Sequence, residues 1–209
     1  MTRVPRLRTR EQLLAAPRQT RSLEKRAKLM DTARILFAEK GYEGTSIQDI
    51  TTKAGTAAGA FYTYFRSKQQ LLVVLMNELV QRLSELDLRP AGAANARTGL
   101  RRFLADVFRA DIESFGVIRA WQEATLTDAE LGPRRKEIES WTEARILRVF
   151  RQLQKSPNAR AGRDLPTFAR MMDRHFWSLL ARGASMTQRD FDREIRTAAD
   201  VIYHYLHKN

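Results

Sequence analysis

A chain of 209 residues, 43% of them hydrophobic and 29% charged, can bury a sizeable core as one domain or as a small domain joined to a larger one, and is too apolar for a disordered chain. The absence of cysteine excludes disulfides, thiolate zinc sites and cysteine nucleophiles. The longest apolar run, Leu71 to Met76, is far short of the roughly 20 residues of a membrane span, and no apolar signal core follows the first arginines, so a cytoplasmic protein without a membrane partner is expected.

The formal charge of +13 is concentrated at one end: residues 1–28 hold nine basic side chains (Arg3, Arg6, Arg8, Arg10, Arg18, Arg21, Lys25, Arg26, Lys28) against Glu11 and Glu24. Such an arm is a footprint for polyanions, usually nucleic acid; a solvated tail that aids solubility is the alternative. Beyond it the apolar period is helical and no stretch alternates as a strand does, so the expected fold class is all-α. Leu29, Ala33, Leu36 and Phe37 make a stripe that ends at Gly41, a suitable left-handed C′ residue. A second helix is expected to start at Thr45-Ser46-Ile47-Gln48, read as a capping box in which Thr45 accepts from the Gln48 amide and Gln48 reaches back, and to stop at Gly55. After Thr56-Ala57, the run Ala58–Phe65 forms a third. Ser67-Lys68-Gln69-Gln70, a second capping box, opens a long helix to about Leu86. Two short helices joined by a glycine-containing turn and buttressed by a first helix make a helix-turn-helix.

The segment LMDTARILFAEKGYEGTSIQDITTKAGTAAGAFYTYFRSKQQLL, Leu29 to Leu72, resembles the TetR-family DNA-binding domain. The resemblance implies a basic arm (1–20), a three-helix DNA-binding domain (21–68) and a larger helical ligand-binding and dimerisation domain (69–209). It implies a homodimer that binds a double-stranded DNA operator, responds to a small-molecule effector and needs no cofactor. Family position assigns Tyr62, Tyr64 and Lys68 to the DNA backbone, with core packing the alternative for Tyr64. Ser46 and Thr56 join the DNA-binding set, and Thr45 either touches phosphate or only caps. Gly59 and Ala60 are small enough for the recognition helix to approach phosphates closely. Where the family usually has valine-serine, this chain has Thr56-Ala57, so the usual serine cap is missing and Thr56 is the remaining hydroxyl. The helix has no Arg, Gln or Asn for bidentate base reading, which leaves thymine-methyl contacts from Ala58, Ala60 or Thr63, shape reading, and the arm in a narrow minor groove. Phe61 and Phe65 belong to the core.

After a loop at Arg89–Asn95, helices are expected near 97–115, 117–126, 134–155, 166–183 and 188–206, the first carrying Leu100, Phe103, Leu104, Val107, Phe108, Ile112 and Phe115 as one wide stripe. Phe103, Trp121, Trp141, Met171 and Trp177 are candidates to line an effector cavity, with ordinary core packing the commoner role for such residues. Asp106, Asp111, Arg119 and Glu123 offer polar selectivity or simply face solvent. The resemblance places the dimer interface on the last two helices: Phe168, Met172, Phe176 and Leu179 with Phe191, Ile195, Ala198, Ile202 and Tyr205. His204, His207 and Asp200 share one helix face, more in keeping with a packed or frayed end than a metal site; His175 suits the core or an interface. No phosphate-binding loop, dinucleotide fingerprint or nucleophile elbow is present, so no enzyme is expected. A ligand-controlled operator binder, in the sense of a repressor, is the first expectation; a constitutive, architectural DNA binder is the alternative.

Overall fold

The computed structural model describes residues 4–7, 20–85, 96–109, 114–156, 158–183 and 185–208. The described helices are α1 (Thr20–Lys40), α2 (Ile47–Lys53), α3 (Ala58–Tyr64), α4 (Lys68–Glu85), α5 (Ala96–Arg109), α6 (Phe115–Thr127), α7 (Leu131–Leu153), α8 (Leu165–Gly183) and α9 (Gln188–Leu206). Among the described residues the sole strand-like feature is an isolated antiparallel bridge between Ala159 and His207. The class is all-α, as the periodicity requires. Arg3, Arg8, Arg10 and Arg18 of the arm, the loop 89–95, Asp111 and Ile112 lie outside the described residues. No described helix is long and apolar enough to cross a membrane.

The helices fall into two compact units. The first contains α1 to α4, α6 and the start of α7. Leu29, Ala33, Leu36 and Phe37 are buried on α1, and the helix ends at Gly41, whose φ of +74° is left-handed and whose N–H donates to the Phe37 carbonyl at 3.1 Å. α6 lies directly against the α1 backbone. A Cβ on Gly116 would stand 2.5 Å from the Arg34 carbonyl oxygen and 2.7 Å from the Ala38 nitrogen. Polar groups fasten the same contact: Glu123 Oε2 accepts the Tyr42 N–H at 2.6 Å, and Arg119 donates to the Ala38 carbonyl at 3.2 Å and to Glu123 at 3.0 Å. Arg119 and Glu123, read as ligand-selectivity groups, therefore anchor the end of α1. On α4, Asn77 accepts the Leu7 N–H at 2.8 Å and donates to the Leu7 carbonyl at 3.0 Å, while the Leu7 side chain is fully buried. The described part of the arm is thus docked on α4.

The second unit contains α5, the rest of α7, α8 and α9. Asp164 caps α8 by accepting from Thr167 N–H at 3.1 Å, with Pro166 in the first turn where its missing donor costs nothing. Thr187 caps α9 through the Asp190 amide. Phe108 of α5 meets Phe176 and Phe191 at ring distances of 5.0 and 6.3 Å, and Phe168 stacks on Phe150 and Tyr205. These contacts cover, within one chain, most of the residues expected at the dimer face. Phe168, Phe176, Leu179, Phe191, Ile195, Ala198 and Ile202 are all at most 9% exposed within one chain, and Met172 and Tyr205 are half-buried. Freeing such side chains for a partner would forfeit about 1.5–3 kcal/mol each. The large apolar residues that α8 and α9 leave exposed are Met171 and Val201. Asp200 accepts from Arg97 at 2.9 Å and Arg101 at 2.5 Å, which occupies the carboxylate of the histidine cluster.

The Gly116 contact leads to a stability contrast. Gly116→Ala drives a methyl into α1 backbone and is expected to destabilise the protein by about 1–3 kcal/mol. Gly132→Ala in α7, where a Cβ meets nothing within 4 Å, is expected to leave stability unchanged or raise it by up to about 1 kcal/mol through helix propensity. Chemical denaturation of both variants measures the difference.

Candidate nucleic-acid interface

α2, the turn at Gly55 and α3 form the helix-turn-helix, with Gly55 at a left-handed φ of +62°. The cap of α2 lies one residue later than the sequence reading placed it. Ser46 is the N-cap: its hydroxyl accepts from Asp49 N–H at 3.0 Å, and the Asp49 carboxylate accepts from Ser46 N–H at 2.9 Å. Thr45 is unavailable because its buried hydroxyl serves α1, facing the Gly41 carbonyl at 2.7 Å and the Leu36 carbonyl at 3.3 Å. The carbonyls left open at the end of α1 thus recruit the hydroxyl that a cap would have used. The Ser46 side-chain and backbone hydrogen bonds, aided by Lys40, hold the Asp49 carboxyl down to about 2.

α3 begins without side-chain help. Its N-cap is Ala57, with no side-chain cap bond, and Thr56 does not substitute: its N–H pairs with the Thr51 carbonyl and its buried hydroxyl has no partner. Ala58, Gly59, Tyr62 and Thr63 face solvent, Tyr62 at 56% exposure, whereas Ala60 is half-buried. Phe61, Tyr64 and Phe65 form the inner face; the Phe61 and Phe65 rings are 5.5 Å apart. Tyr64, expected at the DNA backbone, is buried and shares a hydrogen bond with Ser22 of α1 at 3.0 Å. Basic groups surround this segment: Lys28 lies 3.8 Å from where a Gly55 Cβ would sit, and Arg26 covers the Phe65 ring at 5.4 Å. Arg66, just after α3, is exposed.

Lys68 is only partly free for an external anion. It donates to the Tyr42 carbonyl at 2.6 Å and the Thr45 carbonyl at 2.8 Å, and lies 4.2 Å above the Tyr42 ring. Burial lowers its pKa from the usual lysine value, against the attraction of Glu43 and Glu123. The Tyr42 phenol is in turn pushed up to about 12 by burial, then by Asp128 and Glu43. Lys68 therefore straps the α1–α2 connection to the start of α4, leaving one of three ammonium protons unassigned. The Ser67 cap is present, since Gln70 N–H donates to Ser67 Oγ at 3.1 Å, but Gln70 reaches back to the Arg66 N–H rather than to Ser67.

The effector candidates divide between the units. Trp121 is buried in the first. In the second, Trp141 is buried, Phe103 and Trp177 are half-buried, and Met171 is 55% exposed. Trp177 donates to Thr142 Oγ1 at 3.4 Å, and Arg145 lies over the Trp141 ring. Sequence reasoning did not single out Asn77, Thr142 or Asp173, because a polar residue on an apolar stripe shows no partner in one dimension.

Residues 29–75 match the family described as "Bacterial regulatory proteins, tetR family". Over 54 residues the chain is 46% identical to the uncharacterized HTH-type transcriptional regulator YuxN of Bacillus subtilis (strain 168), which covers 26% of this chain and 19% of YuxN. Over 103 residues it is 27% identical to the HTH-type transcriptional repressor KstR2 of Rhodococcus jostii (strain RHA1), 47% of this chain and 49% of that one. The alignments with the first curated relatives span only about a fifth of their length, 17 to 22%. At the level of fold the likeness is longer: SmeT, solved as a complex with triclosan, superposes with a TM-score of 0.65 at 20% identity, over 89% of this chain and 93% of SmeT.

Two outcomes follow from this geometry. Asp49 gains from folding only when ionised, so its contribution is complete above about pH 4 and lost as pH falls towards about 2. In acid titrations of melting temperature over that interval, Asp49→Asn should show a shallower decline than wild type. Lys68→Ala removes two charge-assisted bonds to carbonyls and should cost about 1.5–3 kcal/mol of folding stability in calorimetry or denaturant titration.

Proposed function

We propose, from the match of residues 29–75 to the TetR family of bacterial regulatory proteins, that the chain is an operator-binding transcriptional repressor controlled by a small molecule. The observation that carries this reading is the outer face of α3. Ala58, Gly59, Tyr62 and Thr63 are exposed, Tyr62 with its ring edge-on to Phe61, next to Lys28 and Arg66, on the segment that matches the family. With no guanidinium or carboxamide on that face, sequence recognition rests on thymine methyls and groove shape, and affinity on phosphate contacts. Tyr62 and Ser46 supply hydroxyls for phosphate, and Lys68 supplies its remaining proton. Thr56 and Ala60, half-buried, contribute chiefly by keeping the turn narrow.

A homodimer reads two half-sites about 34 Å apart. Because the apolar stripes of α8 and α9 are covered within the chain, we assign the two-fold contact to their outward sides around Met171 and Val201. The effector belongs to the second unit, among Phe103, Trp141 and Trp177. Trp121 supports α6 from within the first unit and Met171 faces outward. The repressor relative KstR2 and the triclosan complex of SmeT support this reading by analogy.

Footprinting on genomic DNA tests the proposal against an architectural binder. The expected result is a short palindrome bound by two chains, whereas broad, sequence-indifferent coverage would establish the architectural alternative. On the operator so found, Lys68→Ala should weaken binding and reduce the slope of log affinity against log salt by about 1 per site. An unchanged slope would mean that Lys68 is wholly occupied by its carbonyl contacts.

A further inference from the structure

The second unit contains a buried acid that its fold satisfies only in part. Asp173 of α8 is 2% exposed, and its Oδ2 has no hydrogen-bond partner. It stands on the inward stripe of the helix, between Ala169 and Phe176, where an apolar residue would pack. Thr142 and Trp177 act on the carboxylate as hydrogen-bonding neighbours and Glu143 and Glu139 as like charges, so no cation is among these groups. Thr142 is shared among several groups, since its hydroxyl also accepts the Trp177 indole proton and faces the Ile138 and Glu139 carbonyls at 3.2 and 3.1 Å, and Oδ2 of Asp173 is left without a donor. Trp141, adjacent in sequence, is buried with Arg145 over its ring at 4.8 Å. A buried carboxylate oxygen without a donor normally costs stability and is retained where something supplies the donor.

We propose that the carboxylate of Asp173, set between α7 and α8 beside Thr142 and Trp177, is the anchor of a binding site for small organic cations, an ammonium or amidinium group on an apolar or aromatic frame. A cationic N–H donor satisfies Oδ2, the flanking carboxylates of Glu139 and Glu143 disfavour an anion, and the indole of Trp177 presents a face suited to a cation or a ring. The inference deepens the effector reading given above by naming the ligand class. Burial, opposed by hydrogen bonding and reinforced by the two glutamates, pushes the Asp173 carboxyl up to about 7. Near neutral pH a bound cation therefore also releases a proton, as the carboxyl is drawn into its ionised form.

The test uses the full chain, with benzamidinium and phenethylammonium as probes and 2-phenylethanol as a neutral control, followed by tryptophan fluorescence and by calorimetry in two buffers of different ionisation enthalpy. The expected result is that the cations bind, that binding releases protons near pH 7, and that Asp173→Asn weakens both cations on the order of 10- to 100-fold while the alcohol is little affected. The unliganded Asp173→Asn protein should also lose the fall in melting temperature that wild type shows as pH rises from about 4 to about 7. Equal cation affinity in wild type and variant, or no cation binding to the folded wild type at millimolar concentration, would overturn the proposal. Operator affinity measured alongside keeps the two readings apart. Cation binding at Asp173 with unchanged operator affinity upholds this site and removes the effector role. Operator release by neutral ligands alone upholds the effector role and removes this site.

Discussion

The first unit depends on the closeness of α6 to α1 at Gly116. A glycine there lets the two helix backbones approach until the next carbon would overlap Arg34 and Ala38. At that spacing the polar groups of α6 can reach the end of α1: Glu123 takes the Tyr42 amide and Arg119 the Ala38 carbonyl. The termination of α1 is thereby fixed from outside the helix-turn-helix. Lys68 adds a second hold from the start of α4, drawing the Tyr42 and Thr45 carbonyls to one ammonium. Tyr42 thus has its N–H, carbonyl and ring face engaged by two other helices, and the direction in which the chain enters α2 has little freedom left.

This arrangement explains how α3 keeps an outer face without polar obligations. Its own cap makes no side-chain bond, so its placement rests on Phe61, Tyr64 and Phe65 packing inward and on Tyr64 bonding to Ser22 of α1. Hydrophobic burial is roughly proportional to the area hidden and does not require particular partners. The inner face can therefore position the helix while the outer residues remain small and weakly polar. Under the function proposed above, a surface with few bidentate groups gains discrimination from fit to a groove, and fit needs a rigid mount, which the α1, α4 and α6 contacts provide.

The helical period in the sequence located most of the described helices to within a few positions, because burial of one stripe is the same requirement in one dimension as in three; it ran α5 on to Phe115, which instead starts α6 in the first unit. One reading failed where the sequence offered equivalent choices, and another left two covers open. Thr45 and Ser46 are both good caps, and each has a suitable residue three positions on; what decides is that α1 ends with open carbonyls that take the Thr45 hydroxyl, a demand from the preceding helix. The stripes on α8 and α9 state that something covers Phe176 and Phe191, but not whether the cover is a neighbouring helix or a second chain; within the chain, Phe108 of α5 packs on both. The roles of Arg119 and Glu123 were illegible for a related reason. Their i, i+4 spacing describes a solvated ion pair equally well, and their value comes from the α1 terminus some 80 positions away in sequence.

The contact at Gly116 also determines how movement is transmitted. Two side chains that touch can absorb a displacement of a few tenths of an ångström by changing rotamer, whereas two backbones cannot, since packed interiors shift between discrete arrangements rather than deform continuously. A change in the position of α6 is therefore passed to α1 at Arg34 and Ala38, and through the Glu123 and Lys68 holds on Tyr42 to the start of α2. Such a coupling is reciprocal by thermodynamic necessity: whatever displaces α6 and whatever binds the α1–α3 segment change each other's affinity by the same factor. A softer contact, with an alanine or serine side chain at position 116 and wider helix spacing, would let α6 move without consequence for α1. The lack of a side chain at Gly116 is thus what makes the helix-turn-helix mechanically answerable to α6.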